Sequence, residues 1–217
     1  MIVERMTDKE FAVEVVTDYF NEMREYAKRA VIKKGKIKTR HSANYTSKRG
    51  NNWFIVYRPE MGGQHSLHVK RLQTGDRFIW YSLVLHPTSI TLFGFTKHVG
   101  VRLAERYHPG LTPSEALKEM LMKTPAINQA ELDDTFYTRV NGGVCLGPVY
   151  GKRISVTNSR NQVIWVELRK ANTFIADDGL FDDQQKITDQ SIIRAIQKLG
   201  KNYLTDDDQE SLKYPNG

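Results

Sequence analysis

Cysteine is almost absent from this sequence, because only one of its 217 residues, Cys145, carries a thiol. A single cysteine excludes a disulfide within the chain and a cysteine-rich zinc site. Long hydrophobic runs are absent too: no window reaches about 18 uninterrupted apolar residues, and no membrane span is predicted. No apolar segment of the secretory kind follows the charged first residues. We therefore expect a cytoplasmic protein with no membrane partner.

Motifs for bound nucleotides and metals are also missing. Neither Gly-x-x-x-x-Gly-Lys-Ser/Thr nor Gly-x-Gly-x-x-Gly occurs, which excludes nucleotide-dependent enzymes of those two kinds. His65 and His68 lack an acidic pair or a third histidine nearby, so we predict turn and strand surface there. The acidic segment ADDGLFDDQ lacks the alternation of a calcium loop. We predict no metal and no cofactor, and we expect Cys145 to be a small buried hydrophobe.

Positive charge is in excess: the net charge is +7 and the calculated pI is about 9.4. Such a balance suits a polyanionic partner, for instance nucleic acid. Between Arg24 and Arg49 there are ten lysines or arginines and one acid, whereas the segment TDDDQE near the end of the chain is acidic. Residues 36–51 lack any hydrophobic period and are interpreted as a basic arm, with an ordinary exposed loop as the alternative. The nucleic-acid contacts predicted in this region are Lys33, Lys34, Lys36, Lys38 and Arg40.

The hydrophobic pattern predicts helices at the start, middle and end of the chain. An apolar stripe predicts a long first helix from about Thr7 to Lys33, which Thr7 and Glu10 would begin as a capping box. Two shorter helices are predicted from Thr96 to Arg106 and from Thr112 to Lys123. A last helix, residues 188–199, precedes the acidic tail.

Strand patterns occupy the stretches between these helices. We predict strands before the central helices at residues 53–57, 67–72, 77–85 and 89–95. After them we predict an antiparallel meander at residues 135–140, 144–146, 153–156 and 163–168, with an edge strand at 173–175. The fold class expected is α+β: an antiparallel β-sheet with helices packed on it, a long N-terminal helix and a C-terminal helix. We divide the chain into an N-terminal extension (1–89), a core (90–176) and a C-terminal helix with acidic tail (177–217).

The segment FTKHVGVRLAER combines a histidine, two arginines and a glutamate along one edge of a helix. His98, Arg102 and Arg106 are spaced at i, i+4 and i+8, with Glu105 beside them. An imidazole could accept the 2′-hydroxyl proton of RNA, and arginines could stabilise the charge that grows on the phosphate. Spacing alone favours a solvated face of ion pairs, and both interpretations stay open.

The stretch FTKHVGVRLAERY resembles the opening helix of an uncharacterised family of short bacterial domains with a His-x-x-x-Arg-x-x-Glu-Arg-type pattern. That family is grouped with RelE-type toxin ribonucleases and the barnase-like, colicin-nuclease-like fold. The resemblance extends from Ile90 to Phe174: LTPSEALKEML would be its second helix, and TFYTRVNGGVCLG, KRISVTN and QVIWVEL its sheet. One departure is Val99, where the family has alanine.

The resemblance implies a metal-independent ribonuclease or RNA-binding domain that could act as a toxin component. Its implied partners are RNA, which could be associated with the ribosome, and an antitoxin protein. It implies catalytic roles for His98, Arg102, Glu105 and Arg106. Lys97 and Arg153 would be further nucleic-acid contacts. Two alternatives stay open: a non-catalytic nucleic-acid- or protein-interaction module of mobile-element or phage origin, and a structural protein without nucleic-acid contact.

Overall fold

The chain forms two β-sheets and four α-helices in the residues described by this computed structural model, which are 1–34, 40–59, 64–124, 129–132, 134–149, 151–158 and 161–179. The predicted α+β class is therefore confirmed. The predicted helix at 188–199 and the acidic tail lie outside the described residues, as do Lys36 and Lys38.

The N-terminal helix is continuous in sequence but changes its winding in the middle. Helix α1 (Asp8–Asp18) runs into a π-helical segment (Tyr19–Met23) and then into α2 (Arg24–Lys34). The predicted capping box is confirmed, because the Thr7 side chain accepts a hydrogen bond from the backbone of Glu10 at 3.2 Å, and the Glu10 carboxylate accepts one from Thr7 N at 2.7 Å. Phe11, Val15 and Met23 are fully buried on the helix face that meets the sheet.

The larger sheet has seven strands: β1 (His41–Thr46), β2 (Asn52–Arg58), β3 (Gln64–Leu72), β4 (Phe78–Leu85), β5 (Ser89–Thr96), β9 (Lys152–Thr157) and β10 (Val163–Ala171). Their order across the sheet is β1-β2-β3-β4-β5-β10-β9, and every pair is antiparallel except the parallel pair β5 and β10.

Strand β1 corrects the prediction of a basic arm over residues 36–51, because His41 to Thr46 pair with β2. Alternate side chains of β1 turn toward aromatic neighbours: Tyr45 lies 4.2 Å from Tyr26 and His41 lies 4.8 Å from Tyr57 between ring centroids. The residues that make these contacts are not neighbours in the sequence, so the strand has no local hydrophobic period that would predict it.

Each face of the seven-stranded sheet has its own core. One face carries Trp53, Val69 and Tyr81 beneath the N-terminal helix. The opposite face carries Phe54, Trp80 and other aromatic residues; it lies beneath α3 (Lys97–Tyr107), α4 (Pro113–Lys123) and the second sheet. The chain therefore stacks in three layers, with the large sheet in the middle.

The second sheet has the order β11-β8-β7-β6 and corrects the prediction of one meander. It comprises β6 (Gln129–Leu132), which the sequence pattern did not predict, β7 (Thr135–Val140), β8 (Gly143–Pro148) and β11 (Thr173–Ala176). Strands β9 and β10 instead join the large sheet, beside β5. Strand β8 approaches β10 so closely that a Cβ at Gly147 would lie 2.0 Å from the carbonyl oxygen of Lys170.

The boundary drawn between residues 89 and 90 falls at the start of β5. Strands from both sides of that boundary share the large sheet.

Candidate anion-binding pocket

The residues of FTKHVGVRLAER lie on α3, where the structure places their charged groups at the surface. His98 is exposed. Arg102 Nη1 lies 3.4 Å from Glu105 Oε2, and Arg106 Nη1 lies 3.6 Å from Asp178 Oδ1. Exposed ion pairs of this kind contribute little to stability. The arginines are therefore engaged with carboxylates in this arrangement, which agrees with the solvated face considered above.

The remaining predicted contacts are spread over several elements. Lys97 pairs with Asp76 in the turn before β4. The Arg153 guanidinium, on the edge strand β9, lies 4.6 Å from the ring centroid of the exposed Trp165. Lys33 and Lys34 belong to the last turn of α2. The described contacts of Arg153 thus hold it on β10 and do not join it to the charged groups of α3.

Arg40 has a structural role that the sequence did not indicate. Its Nη1 donates to the carbonyl oxygens of Met122 at 3.1 Å and Lys123 at 2.8 Å, at the C-terminus of α4. Arg58 Nη2 donates to Leu121 O at 2.7 Å in the same turn. Cations favour the negative end of a helix, so these arginines fix one end of α4 against the sheet.

An open pocket of about 300 Å³ lies at the opposite end of α4, between that helix and the large sheet. Trp80 lies at its floor, only 3% exposed. The residues lining the pocket come from β1, β2, β3, β4 and α4: Asn44, Tyr45, Thr46, Asn52, Trp53, Lys70, Trp80, Ser114 and Lys118.

Two lysines share this pocket above aromatic rings. The Lys118 ammonium lies 5.3 Å from the Trp80 ring centroid and 5.4 Å from that of Phe54. The Lys70 ammonium lies 6.0 Å from the Trp80 ring and 4.6 Å from that of Phe78. The negative faces of aromatic rings attract such cations and partly replace the water that burial removes.

Burial of the two ammonium groups lowers their pKa values. Desolvation lowers the pKa of Lys70, and desolvation together with the nearby charge of Lys70 lowers that of Lys118. Glu115 acts in the opposite direction on Lys118, but its carboxylate is already used in the capping box of α4, where it accepts from Thr112 N at 2.9 Å. None of the described residues that line the pocket is acidic.

Three neutral side chains of the pocket each accept a hydrogen bond. Lys118 Nζ donates to Asn44 Oδ1 at 2.7 Å, Trp80 Nε1 donates to Ser114 Oγ at 3.0 Å, and Thr46 Oγ1 donates to Asn52 Oδ1 at 3.2 Å. The same three side chains still present donors, which are the amide hydrogens of the two asparagines and the hydroxyl hydrogen of the serine. The walls are therefore rich in donors, and Ser114 adds the first turn of α4, where the helix dipole favours anions.

The start of α3 lies at the same end of the sheet. Trp80 pairs with Phe95 in the β4–β5 ladder, and His98 follows Phe95 by three residues. Gly100 on α3 is so close to Pro113, the first residue of α4, that a Cβ at Gly100 would lie 2.4 Å from the Pro113 carbonyl oxygen. The positive ends of both helices therefore meet at this end of the molecule.

The turn between β1 and β2 is held by carboxylates of the N-terminal helix, of which Asp18 is fully buried. Asp18 Oδ2 accepts from Ser47 Oγ at 2.7 Å, Asn51 Nδ2 at 2.8 Å and Trp53 Nε1 at 2.7 Å. Glu22, in the π-helical segment, accepts from Tyr45 at 2.5 Å. This network positions the ends of β1 and β2, which supply Thr46 and Asn52 to the pocket.

The sequence pattern does not predict the pocket, because the residues that line it come from five separate elements. A weak signal existed for Lys70, which is a charged residue at an alternate position of β3. In the structure it pairs with the buried Trp80, which pairs in turn with the buried Phe95. Lys118 had no such signal, since one lysine on an amphipathic helix is ordinary.

Two further predictions concern His68 and Cys145. His68 is 2% exposed, so its prediction as surface is wrong; its Nδ1 lies 2.7 Å from Ser82 Oγ, and burial lowers its pKa to about 3. Cys145 is fully buried, as predicted, and burial raises the pKa of its thiol. Within the described ranges, no group of three or more His, Cys, Asp or Glu side chains is arranged to hold a metal ion.

No protein-family model, curated protein or solved structure matches the chain. The resemblance to RelE-like domains therefore stays a prediction. In the part of the chain that the structure describes, no helix has the length and apolar character needed to cross a membrane.

Proposed function

We propose that the protein binds single-stranded RNA and that the pocket beside Trp80 holds a phosphate group of the RNA. The observation that carries this proposal is the pair Lys70 and Lys118, two partly buried ammonium groups without an acidic residue among the described pocket lining. A bound anion would relieve their repulsion and replace the lost hydration. Phosphate contacts through lysine supply much of the affinity of nucleic-acid-binding proteins.

Several other features support this proposal. The chain has a net charge of +7, which favours encounter with a polyanion. The donor-rich walls suit phosphate oxygens, and the N-terminus of α4 supplies a favourable dipole. An RNA ligand also agrees with the expectation of a cytoplasmic protein.

The test is fluorescence anisotropy of a labelled single-stranded RNA, with the matching DNA and duplex RNA as comparisons. Lys70→Gln and Lys118→Gln are each expected to weaken binding by roughly tenfold, because each removes a charge-assisted hydrogen bond. Each should also reduce the slope of log affinity against log salt by about 0.7. Lys123→Gln is the matched control, since it removes an exposed lysine at the far end of the same helix. Unchanged affinity in both pocket variants would remove the pocket from RNA binding.

We also propose, as a second candidate function, that the protein cleaves RNA through His98 and acts as a toxin component held by an antitoxin protein. The position of His98 at the same end of the sheet as the pocket supports this candidate, since RNA anchored there would pass the start of α3. His98 would act as a general base, and Arg102 or Arg106 would stabilise the developing charge after leaving its present carboxylate partner.

The test is RNA cleavage by wild type and His98→Ala in EDTA. We expect cleavage by wild type that is reduced at least roughly a hundredfold in the variant. Equal cleavage by both proteins would exclude His98 from the reaction, and binding without cleavage in either would leave the protein an RNA-binding module.

A further inference from the structure

We propose that the pocket beside Trp80 takes the terminal phosphomonoester of an RNA strand in preference to a phosphodiester within the strand. This inference rests on the proposed RNA binding and specifies the chemical group that enters the pocket.

The charge of the pocket matches a dianion. Lys70 and Lys118 contribute two positive charges to the pocket, whereas the nearest acid named above, Glu115, acts on Lys118 from an exposed position outside the pocket lining. A phosphomonoester carries about −1.5 to −2 charges at neutral pH, whereas a phosphodiester carries only one negative charge. A diester would leave one partly buried ammonium group without a counter-charge, which is costly.

The donors are distributed over several walls in a way that suits a terminal phosphate. Asn44 and Asn52 lie on the β1–β2 side, Lys70 lies on β3, and Ser114 and Lys118 lie on α4. A phosphomonoester presents three terminal oxygens to such walls, whereas a diester presents two and needs the others for its chain.

Two hydrogen bonds join α4 to the sheet beside the pocket. The Lys118–Asn44 bond joins the helix to β1, and the Ser114–Trp80 bond joins the helix to β4. A strand that passed between α4 and the sheet would break these bridges. A strand end needs only one exit, on the open side.

The experiment measures anisotropy of one short single-stranded RNA, labelled at the opposite end, with a 5′-phosphate, a 3′-phosphate or hydroxyls at both ends. We expect at least one phosphorylated form to bind the full chain roughly tenfold more tightly than the hydroxyl form. Lys70→Gln and Lys118→Gln should abolish this preference, and Lys123→Gln should retain it. Inorganic phosphate, compared with chloride at equal ionic strength, should weaken the binding of the phosphorylated RNAs and leave that of the hydroxyl form unchanged. The 5′ and 3′ arms identify which end the pocket accepts.

Each other outcome has a definite meaning. Equal affinity for all three RNAs, with both pocket variants weakening them alike, would overturn the terminal phosphate but retain RNA binding through an internal phosphate. A preference that survives both variants would place the terminal phosphate outside this pocket and also overturn the inference. Absence of binding to every RNA would overturn the proposed function itself. Circular dichroism of the variants shows whether they are folded, so that weaker binding is not mistaken for the effect of unfolding.

Discussion

Replacing Asp18 by alanine is expected to lower the free energy of unfolding by about 3–5 kcal/mol. Asp18 is fully buried, and its Oδ2 alone accepts hydrogen bonds from Ser47, Asn51 and Trp53. Alanine would leave all three donors without that acceptor, at roughly 1–3 kcal/mol for each donor that stays buried. Water that enters the vacated space would recover part of the loss, which is why the expected total lies below the sum of the upper values.

A second substitution tests whether charge or hydrogen bonding matters. Asn in place of Asp18 keeps one oxygen for the three donors but places an amide nitrogen where Asp18 Oδ1 lies. That atom is buried and has no hydrogen-bond partner among the described residues. We expect a smaller loss of unfolding free energy for Asp18→Asn than for Asp18→Ala. The neutral amide oxygen forms weaker hydrogen bonds than the carboxylate, but the donors still have an acceptor.

The assay is urea unfolding followed by tryptophan fluorescence, with the midpoint and slope fitted for each protein. Asp76→Ala is the control, because Asp76 is an exposed acid whose surface pair with Lys97 should contribute nothing measurable. A loss for Asp18→Ala no larger than that of the control would refute the reasoning. It would mean that the three donors find other partners when the carboxylate is removed.

Three further predictions concern other parts of the fold. Hydrogen bonds from Arg49, the N-terminus and Asn51 hold the pKa of Glu14 at about 2, below its ordinary 4.5. The ionised carboxylate therefore stabilises the fold fully above pH 4.5, and this contribution is lost as the pH falls toward 2. Acid titration of wild type should show this loss of stability, and Glu14→Gln should make stability depend less on pH in that range. Gly100→Ala should lower the free energy of unfolding in urea by about 1–3 kcal/mol, because the new Cβ would collide with Pro113. Gly179→Ala is the control and should not lower it, because the nearest atom to its Cβ would lie at 3.4 Å. Equal losses in the two variants would contradict the close approach of α3 and α4. Cys145 should react with a thiol reagent only after unfolding, and rapid reaction of the native protein would contradict its burial.

The α3 charges show why a motif on one helix does not establish a site. The spacing of His98, Arg102 and Arg106 on one edge could be predicted from the helical period alone. Whether an arginine meets a phosphate or a carboxylate depends on what lies opposite. The structure places Asp178, from a segment far away in sequence, beside Arg106.

The sequence by itself determined the local parts of this protein. The capping boxes at Thr7 and Thr112 and the α+β class follow from hydrogen bonds and hydrophobic periods within a few residues of one another. Only the tertiary structure decided that residues 41–46 form a strand, that the late strands divide between two sheets and that two lysines share one pocket. Each of those depends on contacts between different elements of the fold, such as Tyr45 with Tyr26 and β10 with β5. A strand edge or a charged side chain takes its partner from the neighbours that the folded chain brings, and local propensity does not encode those neighbours.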